Sequence, residues 1–259
     1  MAAHGSPVAP ALSLNRRLLR RAVAQHFLRE GAFELAASFS DEAARRDPRL
    51  DADVDPEPFR EMFAVLEAMR KEDLSPAIAW ARGHRAEAEA KMGALPASPM
   101  DTSDDPDSQA AAARRAYSEM GLAAEQAAAA ATALEFRLHA VEFLTRLEKQ
   151  GKAAALDYAK HNLSPLVVMA SEKVVHRTDR VRSGGCDMAV LQRLMGCLMF
   201  QGRLDTSPYA ALVSPTRFHD LRREFARECC RSLGMSEQSA LEVLVSAGAL
   251  ALPTLIKAA

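Results

Sequence analysis

The chain has 259 residues, with 33 basic and 34 acidic side chains and a formal net charge of −1. Alanine supplies 51 of the residues in its 49% hydrophobic share, aromatics only 5%, and there is one tryptophan. Alanine favours helix, whereas sheets want β-branched and aromatic side chains. The composition therefore excludes an all-β protein, and 12 glycines argue against an α/β enzyme built on several glycine-rich loops. Balanced charge gives no overall field to draw the chain to nucleic acid or an anionic membrane.

The cysteines, Cys186, Cys197, Cys229 and Cys230, form neither a CxxC pair nor a regular disulfide spacing. They read as reduced thiols of an intracellular protein. No run approaches the ~18 consecutive apolar residues of a membrane span, and the N-terminus shows no signal-peptide core. Arg16, Arg17, Arg20, Arg21 and Arg29, with no acidic residue before Glu30, do have the look of a mitochondrial targeting segment. Against that, the apolar stripe Leu19, Val23, Phe27 runs directly into a second helical segment, as in a surface helix of a folded protein.

In chain order, residues 1–12 read as a disordered tail. A helix is expected from Ser13 or Leu14 to Arg29 and, after Gly31, a second from Phe33 to Arg45. Leu18, Leu19, Val23 and Phe27 are expected to face Leu35, Ala36 and Phe39 across a hairpin too small to make its own core. The acidic link 46–58 ends in Asp55-Pro56, a cap and first-turn proline, before a helix carrying Phe59, Met62, Phe63, Leu66 and Met69. Ser75-Pro76 opens another with Ile78 and Trp80. Residues 93–108 read as a flexible insertion, and the alanine-rich stretch after it as helical yet burying little.

Strong patterning resumes at Leu134, where Phe136, Leu138, Phe143, Leu144 and Leu147 cover more than one face, so this helix is expected to be buried. Gly151 breaks it, a short helix follows to His161, and Asn162–Pro165 reads as a turn. The weakly patterned stretch Leu166–Gly185 ends in a loop. A core helix carries Met188, Leu191, Leu194 and Leu198, and Ser214-Pro215 caps one with Phe218, Leu221, Phe225 and Leu233. The last helix starts near Ser236 with Ser239 and Glu242 as a capping box. Its expected inner face is Leu241, Leu244, Val245 and Gly248, and Pro253 is expected to bend or end it. No fixed repeat of solenoid length is present. The fold class is all-α, an irregular assembly of helical hairpins.

Chemistry-bearing patterns are sparse. The only Gly-Lys, Gly151-Lys152, lacks the rest of a phosphate-binding loop, and neither GxSxG nor HExxH occurs. His84 and Glu87 make half a metal site at best, and a solvated polar face explains them better. Cys186 follows Ser-Gly-Gly in a basic loop, but nothing places His161 or His176 beside it as a base. Cys229 and Cys230 sit on a patterned helix and read as core and boundary residues. The arginine pairs are not interleaved with stacking aromatics. The residues alone thus describe a helical protein that binds other proteins.

Three segments together carry a resemblance. RRAVAQHFLREGAFELAASFSDEA (20–43) resembles a LisH hairpin. PFREMFAVLEAMRKEDLSPAIAWARGHRAE (58–87), resumed by LEFRLHAVEFLTRLEKQGKAAALDYAKHNLSP (134–165), resembles a CTLH domain. LMGCLMF (194–200), SPYAALV (207–213) and SAGALALPTLI (246–256) resemble a CRA domain. The order LisH, CTLH, CRA is that of subunits of the GID/CTLH E3 ubiquitin ligase complex, and EFLTRL, SPYAALV and SAGALALPTLI are similar to its Rmd-type RING-bearing subunits.

The resemblance implies a disordered tail to residue 14, a LisH-like hairpin over 15–48, a CTLH-like region over 53–165 with an insertion at about 93–125, and a CRA-like region over 166–259. It implies partnership with other LisH–CTLH–CRA subunits, especially the second RING-bearing one, as homo- or hetero-oligomer, in cytoplasm and nucleus. It implies hairpin contacts through Leu19, Val23, Phe27, Leu35 and Phe39, and contact or packing roles for Phe63, Trp80, Phe136, Tyr209, Phe218 and Leu244. No catalytic or metal-binding residue, nucleic acid or membrane is expected. A zinc-binding RING follows CRA in the family, and no zinc spacing occurs among these cysteines. The expectation is therefore a scaffold role, with no cofactor and no ubiquitin transfer by this chain alone.

Overall fold

The computed structural model describes the backbone of residues 15–47, 54–94, 109–175 and 188–258. Residues 48–53, 95–108, 176–187, 259 and the tail to residue 14 lie outside it. The expectations for the tail, for residues 95–108 of the insertion expected at about 93–125 and for the Cys186 loop therefore fall outside the described residues, while residues 109–125 of that insertion are helical. Among the described residues every regular element is helical, as the composition requires. In order they are α1 (Arg16–Arg29), α2 (Phe33–Arg46), α3 (Glu57–Arg70), α4 (Ser75–Gly93), α5 (Gln109–Lys149), α6 (Lys152–Tyr158), α7 (Ser164–Val175), α8 (Met188–Cys197), α9 (Arg217–Ser232) and α10 (Ala240–Ala258). The chain divides into two compact units, residues 1–63 with 234–259, and residues 64–233.

In the first unit α1 and α2 form the expected hairpin. The side chains buried in it are Ala24 and Leu28 of α1 and Ala36 and Ala43 of α2, with Phe27 edge-on to Phe39 at 5.8 Å. Leu18, Leu19 and Leu35, expected to face across the hairpin, are exposed instead. The physical reason is size: small alanines let the two helices approach closely, and larger residues one helical step away then lie outside the seam.

The second unit is organised by α5, a helix of 41 residues. It runs antiparallel to α4, as the pairs Glu72–Lys149 and Arg85–Glu135 fix by their register. Ala77, Ala81 and Ala88 of α4 and Ala128, Ala131 and Ala133 of α5 are all buried. The alanine-rich stretch, expected to bury little, thus closes a helix pair at its C-terminal end. Alanine does this by letting backbones approach, not by bulk.

Beyond it, Phe136, Phe143, Leu144 and Leu147 pack with Ala155, Leu163, Leu166, Val167, Leu194 and Leu204 in one core. Truncating a buried phenylalanine such as Phe143 costs about 3–5 kcal/mol.

The expected turn at Asn162–Pro165 is not one. A π-helical turn, Ala159–Leu163, carries α6 straight into α7, which runs to Val175. Pro165 has no N–H to give, and a widened turn ahead of it makes room for its ring. Two side chains occupy carbonyls there: Asn162 Nδ2 donates to Tyr158 O at 3.1 Å, and Ser164 Oγ to Ala159 O at 3.4 Å. Neither carbonyl is the one Pro165 leaves without a donor, so these bonds hold the π turn itself, and burial of Ala159, Leu163, Leu166 and Val167 in the core holds the helix across the proline. At Pro253, where α10 was expected to bend or end, the helix does not end but runs on to Ala258.

Candidate protein-interaction site

The hairpin is set by its caps. Asn15 Oδ1 accepts from Arg17 N and Leu18 N at 3.1 and 3.2 Å and opens α1. At the other end Ala32 N donates to Phe27 O and Gly31 N to Leu28 O, a Schellman closure with Gly31 at φ +76°. A Cβ at Gly31 would also lie 2.6 Å from the Phe63 ring, so glycine is required there twice over. Phe63 in turn meets Phe33 edge-on at 5.5 Å and seats α3 on the hairpin.

The last helix is clipped to α1. The capping box forms as expected: Glu242 N donates to Ser239 Oγ at 3.1 Å, and Ser239 N to Glu242 Oε2 at 2.8 Å. Those bonds, the backbone one foremost, hold the Glu242 carboxyl below the usual carboxylate range. Ser239 Oγ also lies 3.0 Å from His26 Nδ1, and Arg29 donates to the carbonyls of Ser236 and Glu237. Nothing in the sequence marked His26 and Arg29 as a clip, because the two partners lie over 200 residues apart.

Beyond that first turn α10 stands off the chain. Leu241 is half-buried, but Leu244 is 59% and Leu250 80% exposed, and Val243, Val245 and Leu252 are exposed as well. The expected inner face through Leu244, Val245 and Gly248 is therefore exposed among the described residues. A helix apolar on nearly all sides belongs in a buried setting, so α10 presents an exposed apolar surface of the kind that marks an interaction site. Its all-round apolar character, more than any one face, was the signal in the sequence.

The expected contact residues separate by burial. Leu19, Leu35 and Leu244 face solvent. Val23 is half-buried, and Phe27 and Phe39 spend their rings on each other. Phe63 packs on Phe33, Phe136 is fully buried in the core, and Trp80 stacks on His84 and meets Phe225 edge-on at 5.1 Å. Tyr209 fills the space over Gly196 and meets Phe200 at 5.8 Å. Phe218 lies half-buried under the Arg217 guanidinium. These six, Phe63, Phe136, Trp80, Tyr209 and the Phe27–Phe39 pair, are packing residues of the chain itself.

No chemistry is assembled at the remaining candidates. Glu87 pairs with Lys91 at 3.0 Å, and burial lowers the His84 pKa against its Trp80 stack. Burial pushes the Cys229 and Cys197 thiols up, away from the reactive thiolate. Among the described residues no group of three or more His, Cys, Asp or Glu could hold a metal ion, and no helix is long and apolar enough to cross a membrane.

One buried polar cluster does stand out in the second unit. Glu135 accepts from Arg85 Nε at 2.7 Å and Arg82 Nε at 3.4 Å, and His139 Nε2 stands 3.9 Å away. His139 Nδ1 is 2.6 Å from the Tyr158 hydroxyl. Burial acts to raise the Glu135 pKa, but His139, Arg85 and then Arg82 outweigh it and bring it to about 2. The cluster joins α4, α5 and α6 and has a structural role.

Comparison with known proteins agrees with the helical architecture. The model of the CTLH/CRA C-terminal to LisH motif domain matches residues 58–256. Protein RMD5 homolog of Arabidopsis thaliana is 24% identical over 95% of this chain and 48% of its own length. E3 ubiquitin-protein ligase RMND5A of Mus musculus is 29% identical over 93% of this chain and 47% of its own. E3 ubiquitin-protein transferase RMND5B of Homo sapiens is 26% identical over the same two shares. The chain spans about half the length of the curated relatives it matches. No solved structure matches it. With that model covering well over half of its residues, the chain belongs to the CTLH/CRA C-terminal to LisH motif domain family.

Proposed function

We propose that the chain is a subunit of the GID/CTLH E3 ubiquitin ligase complex and acts in ubiquitin-dependent protein degradation through helical contacts. The observation that carries this reading is α10, an apolar helix clipped to the LisH-like hairpin at its first turn and exposed along the rest. On this reading the helix packs against a second protein surface. The relatives named as ubiquitin ligases or transferases supply the biochemical setting. On this reading the partners are other LisH–CTLH–CRA subunits, the second RING-bearing one first among them, in cytoplasm and nucleus. The residues of the chain, on this reading, supply assembly contacts.

The test is affinity purification of the chain from its own cells at moderate salt, with mass spectrometry of what accompanies it. Recovery of LisH–CTLH–CRA subunits is the expected result. A folded, expressed bait that recovers none would leave a helical adaptor working outside the ubiquitin system.

A further inference from the structure

The open end of the hairpin concentrates arginine. Arg17, Arg20 and Arg21 follow at i, i+3 and i+4 on α1, with Arg16 beside them, and no acidic residue lies in that first turn. Arg20 Nη1 donates to Ala43 O at 3.1 Å, which places this end of α1 against the last turn of α2. There Arg46 adds a further cation, paired with Glu42 at 2.6 Å. Arg16, Arg17 and Arg21 are exposed, and no carboxylate among the described residues pairs with them. Arg16 and Arg17, in the first turn, are cations at the positive end of the helix dipole and oppose it, and no ion pair among the described residues offsets that.

We propose that this arginine cluster is a docking site for an acidic peptide segment of a partner protein. Charge complementarity selects the class, and the arginine forks, with no lysine among them, suit bidentate pairing with carboxylates. Two other polyanions fit worse. Single-stranded bases need a free aromatic face to stack on, and the rings of the hairpin are taken: Phe27 by Phe39 and Phe33 by Phe63. A membrane-surface helix needs a continuous apolar face, whereas α1 buries Ala24 and Leu28 in the hairpin and exposes Leu18 and Leu19 alone of its large apolar residues. The site stands apart from α10 and holds whether or not the ligase reading does.

The experiment uses the full chain and a fluorescein-labelled peptide of alternating glutamate and alanine, read by anisotropy, with the glutamine counterpart as control. Binding of the glutamate peptide alone, weakening as salt rises, is expected. The double variant Arg17→Gln, Arg21→Gln should bind about tenfold more weakly, as the loss of two charge-assisted contacts predicts. Arg20 is left in place because it holds Ala43. Should the double variant lose helicity by circular dichroism, Arg21→Glu alone carries the same comparison. No binding by the unaltered chain at low salt overturns the proposal, as does equal binding by a folded variant. Tighter binding to a short DNA duplex or to phosphatidylserine vesicles at physiological salt overturns it equally.

Discussion

Arg85 Nε donates to Glu135 Oε2 at 2.7 Å with the carboxylate only 2% exposed, and this one bond ties α4 to α5 at the level where the alanine seam gives way to the aromatic core. A charge so placed is tolerable because Arg85 and Arg82 both donate to the same carboxylate. The cluster therefore fixes the register of the two helices by what it costs to break.

Its pH dependence follows from the depressed pKa. A carboxylate near 2 in the folded chain, against ~4.3 when unfolded, contributes stability that is present above the unfolded value and is lost as pH falls towards about 2. Thermal unfolding between pH 7 and pH 2.5 checks this. Glu135→Gln should melt lower at pH 7, leave a charged Arg85 without its partner, and converge on the parent curve at the acid end. A constant difference across the range would refute the assignment.

Glu228 is the opposite case. It is buried, pairs with Arg231 at 2.6 Å, and leaves Oε1 without a hydrogen-bond partner. Burial raises its pKa, Arg231 offsetting only part. A raised carboxyl favours the fold at low pH and costs stability as pH climbs through its folded value. Glu228→Gln should therefore raise the melting temperature by a few degrees at pH 7, and the gain should shrink at pH 4.

Gly196 is set by its neighbour. The space a Cβ would take is filled by the Tyr209 hydroxyl and ring, with Cζ 2.6 Å from that position. Gly196→Ala should lose about 1–3 kcal/mol in denaturant unfolding. Adding Tyr209→Phe removes the nearest atom and should recover part of the loss. No recovery would mean that helix α8, not the contact with Tyr209, sets the requirement.

The exposed and packed apolar residues should behave differently on substitution. Leu19→Asp with Leu244→Asp should lower assembly mass by light scattering while far-ultraviolet circular dichroism and melting stay near the parent. Phe27→Asp removes half of the ring pair with Phe39 and should instead melt the hairpin. If the leucine variant keeps its mass, neither residue is an assembly contact.

Much of this chain was local, and what was local could be read from the sequence. Helices α1 to α4 begin and end within a few residues of the caps and glycines that signal them, and the Ser239–Glu242 box closes as its spacing requires. Side-chain and backbone groups three residues apart meet in any helix, so no distant partner is needed. The resemblance to a LisH–CTLH–CRA chain rests on the same local strings. The π turn before Pro165 was missed because Asn162 and Ser164 beside a proline read as turn residues, whereas Leu163, Leu166 and Val167 are buried there against residues distant in sequence.

Only the tertiary structure decided which apolar residues are shared with this chain and which are left over. Leu18 and Phe27 look alike as helix-face residues, yet one is exposed and the other packs on Phe39. Periodicity reports that a face is apolar but not what covers it, because covering is set by contacts between residues far apart in sequence, as His26 with Ser239 and Arg85 with Glu135 show.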